Sequence, residues 1–103
     1  MKNEFGIKLD RNGYAPSIMQ NEEECFYPET TINITRHEVF FGNGKRQLSK
    51  KYGCWIWVCN HYHNQLHVVD SKLCEELKKK AQIEFESLYG HDKFMRIFGK
   101  NYL

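Results

Sequence analysis

Two histidines spaced four residues apart are the clearest candidates for chemistry in this chain. His63 and His67 form an H-x3-H pair, and residues four apart lie one above the other on an α-helix. Two imidazoles on one helix face can hold a single divalent metal ion. A third histidine, His37, follows an apolar stretch and is flanked by Arg36 and Glu38. We therefore expect the chemistry to lie in the middle of the chain.

The elements that carry these histidines are predicted from local patterns. Residues 31–41 are rich in β-branched and aromatic side chains, and residues 54–59 form an apolar run of strand length. Both are predicted as strands that pair antiparallel. Between them, residues 46–52 predict a short helix that ends at Gly53. Residues 60–66 predict a second short helix, which carries the first histidine of the pair.

The remaining third of the chain is predicted to be helical. Asp70 or Ser71 is expected to cap a longer helix that ends at Gly90, and a last short helix is expected over residues 92–98. In the longer helix, apolar side chains recur at four- and three-residue spacing and predict one buried stripe. The stripe comprises Leu73, Leu77, Ala81, Phe85 and Leu88.

Length and composition indicate one ordinary globular domain. The chain has 103 residues, and its seven Phe, six Tyr and two Trp argue against long-range disorder. No apolar run approaches the roughly 20 residues of a membrane span, and the N-terminus lacks a signal-peptide pattern. We therefore expect a cytoplasmic protein with reduced cysteines, and Cys54 and Cys74 are expected in the core. Trp55 and Trp57 are expected in the core or at a dimer contact, with base stacking as the alternative.

Basic residues are concentrated in the central segment. The formal net charge is +2, but residues 25–69 carry five Lys or Arg against two Asp or Glu. This balance suits a polyanionic partner, although a solvated basic face would look the same. The run Lys78-Lys79-Lys80 is expected to be a solvated helix face, with a phosphate contact as the alternative.

Residues 25–67 resemble an HNH endonuclease domain. One histidine from a strand hairpin and a histidine pair from the following helix are the layout of the ββα-metal nucleases. A narrower resemblance is to small HNH-like proteins of phages and prophages that are related to the recombination nuclease Rap. The C-terminal end of those small proteins is similar to residues 94–103. The positions that carry it are the string His37-Glu38-Val39-Phe40-Phe41-Gly42, then Arg46, Ser49, Gly53, Cys59 and His63.

The resemblance implies an α+β fold in a single domain. Its small ββα-metal core would cover residues 25–69, between an irregular N-terminal extension over 1–24 and C-terminal helices over 70–103. It implies a metal-dependent DNA endonuclease that hydrolyses phosphodiesters in phage recombination or DNA processing, in the cytoplasm of the bacterial host. His63 and His67 match the pair that holds one divalent metal ion. Imidazoles suit zinc, manganese or nickel, whereas magnesium prefers oxygen ligands.

The family's first motif is usually a metal ligand followed by a histidine that acts as general base. If His37 is the base, Arg36 occupies the ligand position and cannot bind metal, because its guanidinium stays protonated. If His37 is a ligand, Glu38 takes the base position. We favour His37 as the base, with Glu38 nearby as the second catalytic residue. Four basic residues of the connection between the strands are expected to position the DNA backbone: Lys45, Arg46, Lys50 and Lys51.

Two departures from the family pattern keep other functions open. The family's central Asn falls at Gly53 or Cys54, and neither is Asn. The two C-x2-C pairs that hold a structural zinc are reduced here to Cys25 and Cys59, so no structural zinc is expected. The alternative is a catalytically inactive DNA-binding or assembly module on the same fold. A metal-stabilised regulatory protein that never binds nucleic acid is a third hypothesis, and self-association into a homo-oligomer stays open.

Overall fold

The computed structural model describes residues 1–28, 30–68 and 71–103. Within these residues, a two-stranded sheet and four helices form a small α+β fold, which confirms the predicted class. The elements in chain order are β1 (Ile34–Glu38), α1 (Lys45–Tyr52), β2 (Trp55–Cys59), α2 (Asn60–Leu66), α3 (Lys72–Tyr89) and α4 (His91–Phe98). No helix in the described part of the chain has the length and apolar character that a membrane crossing requires.

The two strands pair antiparallel, as predicted, with His37 opposite Ile56. Side chains alternate between the faces of a strand, so His37 points to one face while Arg36 and Glu38 point to the other. The strand is shorter than the predicted range of 31–41. Asn33 has a left-handed backbone with φ of 53°, which interrupts the extended conformation just before β1 begins.

Ser49 and Gly53 fix the connection between the two strands. The buried Ser49 hydroxyl accepts from the Phe40 N–H at 2.9 Å and donates to the Phe40 carbonyl at 2.7 Å. Gly53 ends α1 as predicted, in a left-handed conformation with φ of 77°. A Cβ at Gly53 would lie 2.4 Å from the Pro16 carbonyl oxygen, so a side chain there would displace the N-terminal extension.

The N-terminal extension is irregular, as predicted, and it covers the tryptophan face of the sheet. The Ser17 hydroxyl donates to the Trp55 carbonyl at 2.6 Å, and the Trp57 N–H donates to Gln20 Oε1 at 2.7 Å. The Trp55 indole N–H donates to the Ala15 carbonyl at 2.7 Å. Trp55 is therefore buried and Trp57 half-buried, which confirms core packing for Trp55 and excludes it from base stacking.

Helix α3 begins where its sequence predicts. The Ser71 hydroxyl accepts a hydrogen bond from the Cys74 N–H at 3.1 Å, which identifies Ser71 as the cap. Asp70, the other candidate, lies outside the described residues. The Cys74 side chain is buried, as is that of Cys54, so both are core residues as predicted.

The apolar stripe of α3 is confirmed in its middle and wrong at its end. Leu77, Ala81 and Phe85 are buried, whereas Leu88 is 57% exposed. At about 100° per residue, Leu88 lies on the same helix face as Leu77 and Ala81. It is exposed because the elements that cover this face do not reach the last turn, where Tyr89 packs against the core instead. The Tyr89 ring stacks on Phe5 at 3.9 Å, so the extension covers this end of the helix. Helix α4 completes the core with the buried rings of Phe94 and Phe98.

Candidate metal centre

Three imidazoles converge where β1 meets α2. The candidate ligand atoms of His37, His63 and His67 all lie within 4.8 Å of one another, close enough to hold one metal ion. The rings of His63 and His67 are 4.6 Å apart, as expected for residues one helical turn apart. The His37 ring lies 5.3 Å from His63 and 5.6 Å from His67.

The chain order explains this convergence. Helix α2 begins directly after β2, so its first two turns lie beside the strand that pairs with β1. His63 is on α2, and His67 follows the last residue of that helix. His37 reaches them because the antiparallel register holds it opposite Ile56, in the middle of β2. The histidine spacing and the hairpin topology therefore predicted a cluster that the structure contains.

His37 is the buried member of the cluster. It is 2% exposed, and its Nε2 has no hydrogen-bond partner among the described residues. Burial lowers the pKa of His37 to about 3, and the positive charges of His63, His67, Arg46 and Lys78 add to the effect. An unpaired buried ring nitrogen is costly, and a bound metal ion would give it a partner. The three imidazoles therefore fit a divalent ion.

His63 is oriented by a neighbour on β1. Its Nδ1 lies 3.0 Å from the Thr35 hydroxyl, on the same strand face as His37. If Nε2 binds a metal ion, Nδ1 carries the ring proton and donates it to that hydroxyl, a common arrangement for metal-binding histidines. Burial, followed by the charge of His67, lowers the pKa of His63 and favours the neutral form.

A cleft of about 230 Å³ opens beside the histidines. It brings together both predicted catalytic residues, because Glu38 lines it with His37. Two cations, Arg36 and Arg46, also line the cleft, and this charge suits an anionic group. Tyr14 forms another part of the wall, and its pKa is raised first by burial and then by the charge of Glu38.

The four predicted DNA-binding residues of α1 do not lie on one surface. Arg46 lines the cleft, and the Lys50 ammonium lies 4.8 Å from the Tyr14 ring centre at its edge. Lys45 donates to the Tyr102 hydroxyl at 3.3 Å, beyond the cleft. Lys51 lies over the Tyr52 ring at 5.7 Å, on the side of α1 that faces Glu4. The site therefore includes Arg46 and borders Lys50, while Lys51 lies apart.

Comparison with known proteins gives no relative for this chain. No protein family, no curated protein and no solved structure matches it. The resemblance to HNH endonucleases therefore rests on the sequence motifs alone and stays a prediction. The function must be inferred from the residues that the fold brings together.

Arg36 is held by the N-terminal extension and the tryptophan face of the sheet. Its guanidinium lies 4.3 Å from the Tyr14 ring centre and 5.0 Å from that of Trp57, and it forms an ion pair with Asp10 at 3.4 Å. Sequence reasoning missed Tyr14 and Asp10 as parts of the site. No local signal points to them, because their position depends on how the irregular extension packs against the sheet.

Cys25 and Cys59, which the resemblance aligns with the two zinc pairs, are neighbours. The Cys59 N–H donates to Cys25 Sγ at 3.2 Å, and Cys25 is buried. Tyr62, at the position where the resemblance places a second cysteine, stacks on Tyr27 with ring centres 4.7 Å apart. The expectation of no structural zinc stays a prediction.

Proposed function

We propose that this protein is a metal-dependent DNA endonuclease of the HNH type, which hydrolyses phosphodiester bonds. The observation that carries the proposal is the convergence of His37, His63 and His67 on an antiparallel strand pair and the helix that follows it. The motif resemblance supports DNA as the substrate. Arg46, which lines the adjoining cleft, supports an anionic reacting group, whereas Arg36 is ion-paired with Asp10.

In this proposal all three histidines are ligands of one divalent ion. A general base must reach the attacking water, and the His37 ring is 2% exposed with its Nε2 unpartnered among the described residues. A metal ligand must be neutral, and burial keeps His37 neutral. The geometry therefore favours His37 as a ligand over the base role that the sequence favoured. Zinc, manganese and nickel suit such a ligand set best.

Glu38 is then the proposed general base. It follows His37 directly and lines the same cleft, so its carboxylate can take a proton from the attacking water. The water oxygen bonds to phosphorus while the ester P–O bond breaks, and solvent protonates the leaving oxygen. Arg46 neutralises charge on the phosphate oxygens. When bound, the metal ion supplies Lewis-acid chemistry, by polarising the phosphate and stabilising the leaving oxygen.

The test is to separate metal binding from cleavage. Glu38→Gln should keep metal affinity near that of the parent and lower the rate of plasmid cleavage by ~10²-fold or more. His37→Ala should weaken both metal affinity and cleavage. Glu84→Gln, an exposed carboxylate on α3, is the matched control and should behave as the parent. A parent protein that cuts no form of DNA with manganese, nickel, zinc or magnesium would contradict the proposal.

A catalytically inactive DNA-binding module is the second candidate, and one observation favours it. The positions where the HNH pattern places an Asn are occupied by Gly53, which is packed against the Pro16 carbonyl, and by the fully buried Cys54. Neither offers an amide to position a base. This candidate predicts metal binding and DNA binding with no cleavage, so the same assay distinguishes the two functions.

A further inference from the structure

A series of aromatic rings and lysines leads away from the metal centre. The Phe41 ring lies 6.1 Å from the ring of His37 and 6.2 Å from that of His67. The Lys78 ammonium lies 4.6 Å from the Phe41 ring centre and 5.7 Å from that of Tyr102. Lys78, from the run expected to be a solvated face, therefore bridges the metal centre and a second aromatic residue.

Three lysines from separate parts of the chain meet around Tyr102. Besides Lys78 on α3, Lys45 at the start of α1 has its ammonium 5.7 Å from the ring centre. Lys100, which follows α4, has its ammonium 5.2 Å from that centre. We call Lys45, Lys78 and Lys100 the lysine track. None of the ion pairs formed within the described residues includes a track lysine.

No carboxylate therefore lies within ion-pair distance of these lysines, in the described part of the chain, to offset their mutual repulsion. A cation over an exposed aromatic ring gains only ~0.5–1 kcal/mol, so the rings compensate for little of that repulsion. Three lysines this close together suit a binding partner with closely spaced negative charges. Duplex DNA carries one phosphate charge per ~1.7 Å of its axis, which meets this requirement.

The segment that carries Tyr102 is fixed by a buried amide. Gln82 is fully buried; its Oε1 accepts from the Tyr102 N–H at 2.7 Å, and its Nε2 donates to Asn101 Oδ1 at 2.7 Å. The Tyr102 ring also packs against Phe40, with centres 4.9 Å apart. These contacts order the segment before any partner binds, which lowers the entropy cost of binding.

We propose that the lysine track binds the phosphate backbone of the DNA strand that enters the metal centre. The proposal rests on the proposed function and deepens it, because it extends the DNA surface from α1 to α3 and to residue 100. The Tyr102 ring gathers the three ammonium groups, and Phe41 connects Lys78 to the histidines. Lys78 is the central contact, because it joins the two rings and lies nearest to the site.

The test measures DNA binding in chelator, so that no cleavage occurs. Fluorescence anisotropy with a labelled duplex at several salt concentrations gives the slope of log Kd against log salt. Lys78→Ala should lower that slope by ~0.9, which corresponds to a roughly 5–10-fold weaker Kd at about 0.1 M salt. Lys79→Ala is the matched control, since Lys79 is exposed on the same helix, and it should leave the slope unchanged. Lys78→Arg keeps the charge and should bind as the parent.

The outcomes separate this proposal from the nuclease function. Equal slopes for Lys78→Ala and Lys79→Ala, with melting temperatures like that of the parent, would overturn the lysine track. A parent that binds no DNA in chelator would also overturn it. DNA binding with a Lys78-dependent slope, in a protein that cuts no DNA with any metal, would support the track and contradict the nuclease function.

Discussion

The buried His37 imidazole should make the metal-free protein sensitive to acid. Its pKa is about 3 in the folded chain and 6.5 when it is exposed on unfolding. Between these values the unfolded state binds the proton and the folded state does not, so the free energy of unfolding falls as pH decreases. His37 thus contributes its full stabilisation above pH ~6.5, and the contribution is lost progressively down to pH ~3.

The size of the effect follows from the same two pKa values. Lowering the pH from about 7.5 to about 5 should remove ~2 kcal/mol of stability through His37 alone. The groups that face His37 are part of this shift: burial is the largest cause, and the charges of His63, His67, Arg46 and Lys78 also lower its pKa. This loss is a substantial part of the 5–15 kcal/mol that stabilises a typical domain.

Urea unfolding in chelator at these two pH values measures the loss. His37→Gln removes the titrating group, so its stability should fall by ~2 kcal/mol less than that of the parent over the same interval. Subtracting the stability loss of His37→Gln from that of the parent cancels the contributions of the other titrating groups, including His63. His61→Gln, at an exposed position on α2, is the control and should show the pH dependence of the parent. If His37→Gln and the parent lost the same stability, His37 would be hydrated and the reasoning wrong.

Three further predictions concern the metal, the core and the extension. Isothermal titration with zinc or nickel should find one metal site, and the double variant His63→Ala/His67→Ala should no longer bind the metal. Unchanged binding in the double variant would contradict the assignment of the metal site. Leu77→Ala should cost ~2–5 kcal/mol of stability in urea unfolding, because the side chain is 3% exposed. Gly53→Ala should cost ~1–3 kcal/mol by the same assay, since its Cβ would clash with the Pro16 carbonyl at a left-handed backbone; a parent-like value would contradict that packing.

Local signals explain why the helices could be predicted well. Gly53, Gly90 and Gly99 each follow the last residue of a helix, and the Ser71 side chain caps α3. These residues act through their own backbone conformation or one nearby hydrogen bond, so they can be recognised without a fold. The exception is β1, because Asn33 adopts a left-handed conformation inside a run of strand-forming residues.

In the candidate site, too, the residues placed by local patterns could be predicted, and those placed by long-range contacts could not. The spacing of His63 and His67 predicts their stacking on one helix, and hairpin topology predicts that His37 joins them. Tyr14 and Tyr102 could not be predicted, because each reaches its position through contacts with residues far away in the chain. Packing of irregular segments depends on many weak contacts at once, and no short pattern encodes it.

The absence of an Asn at positions 53 and 54 bears on which role His37 would play in the proposed function. In the HNH pattern an Asn positions the general base, so the proposed function needs another way to hold the residues around His37. Here the backbone does so: the Val39 N–H donates to the Cys54 carbonyl at 2.9 Å, and Ser49 binds both backbone groups of Phe40. These bonds fix the end of β1 without contacting the His37 ring. A buried ring packed among other rings suits a metal ligand, which needs a fixed position and no contact with free water. It suits a general base less well, because a base must exchange protons with solvent.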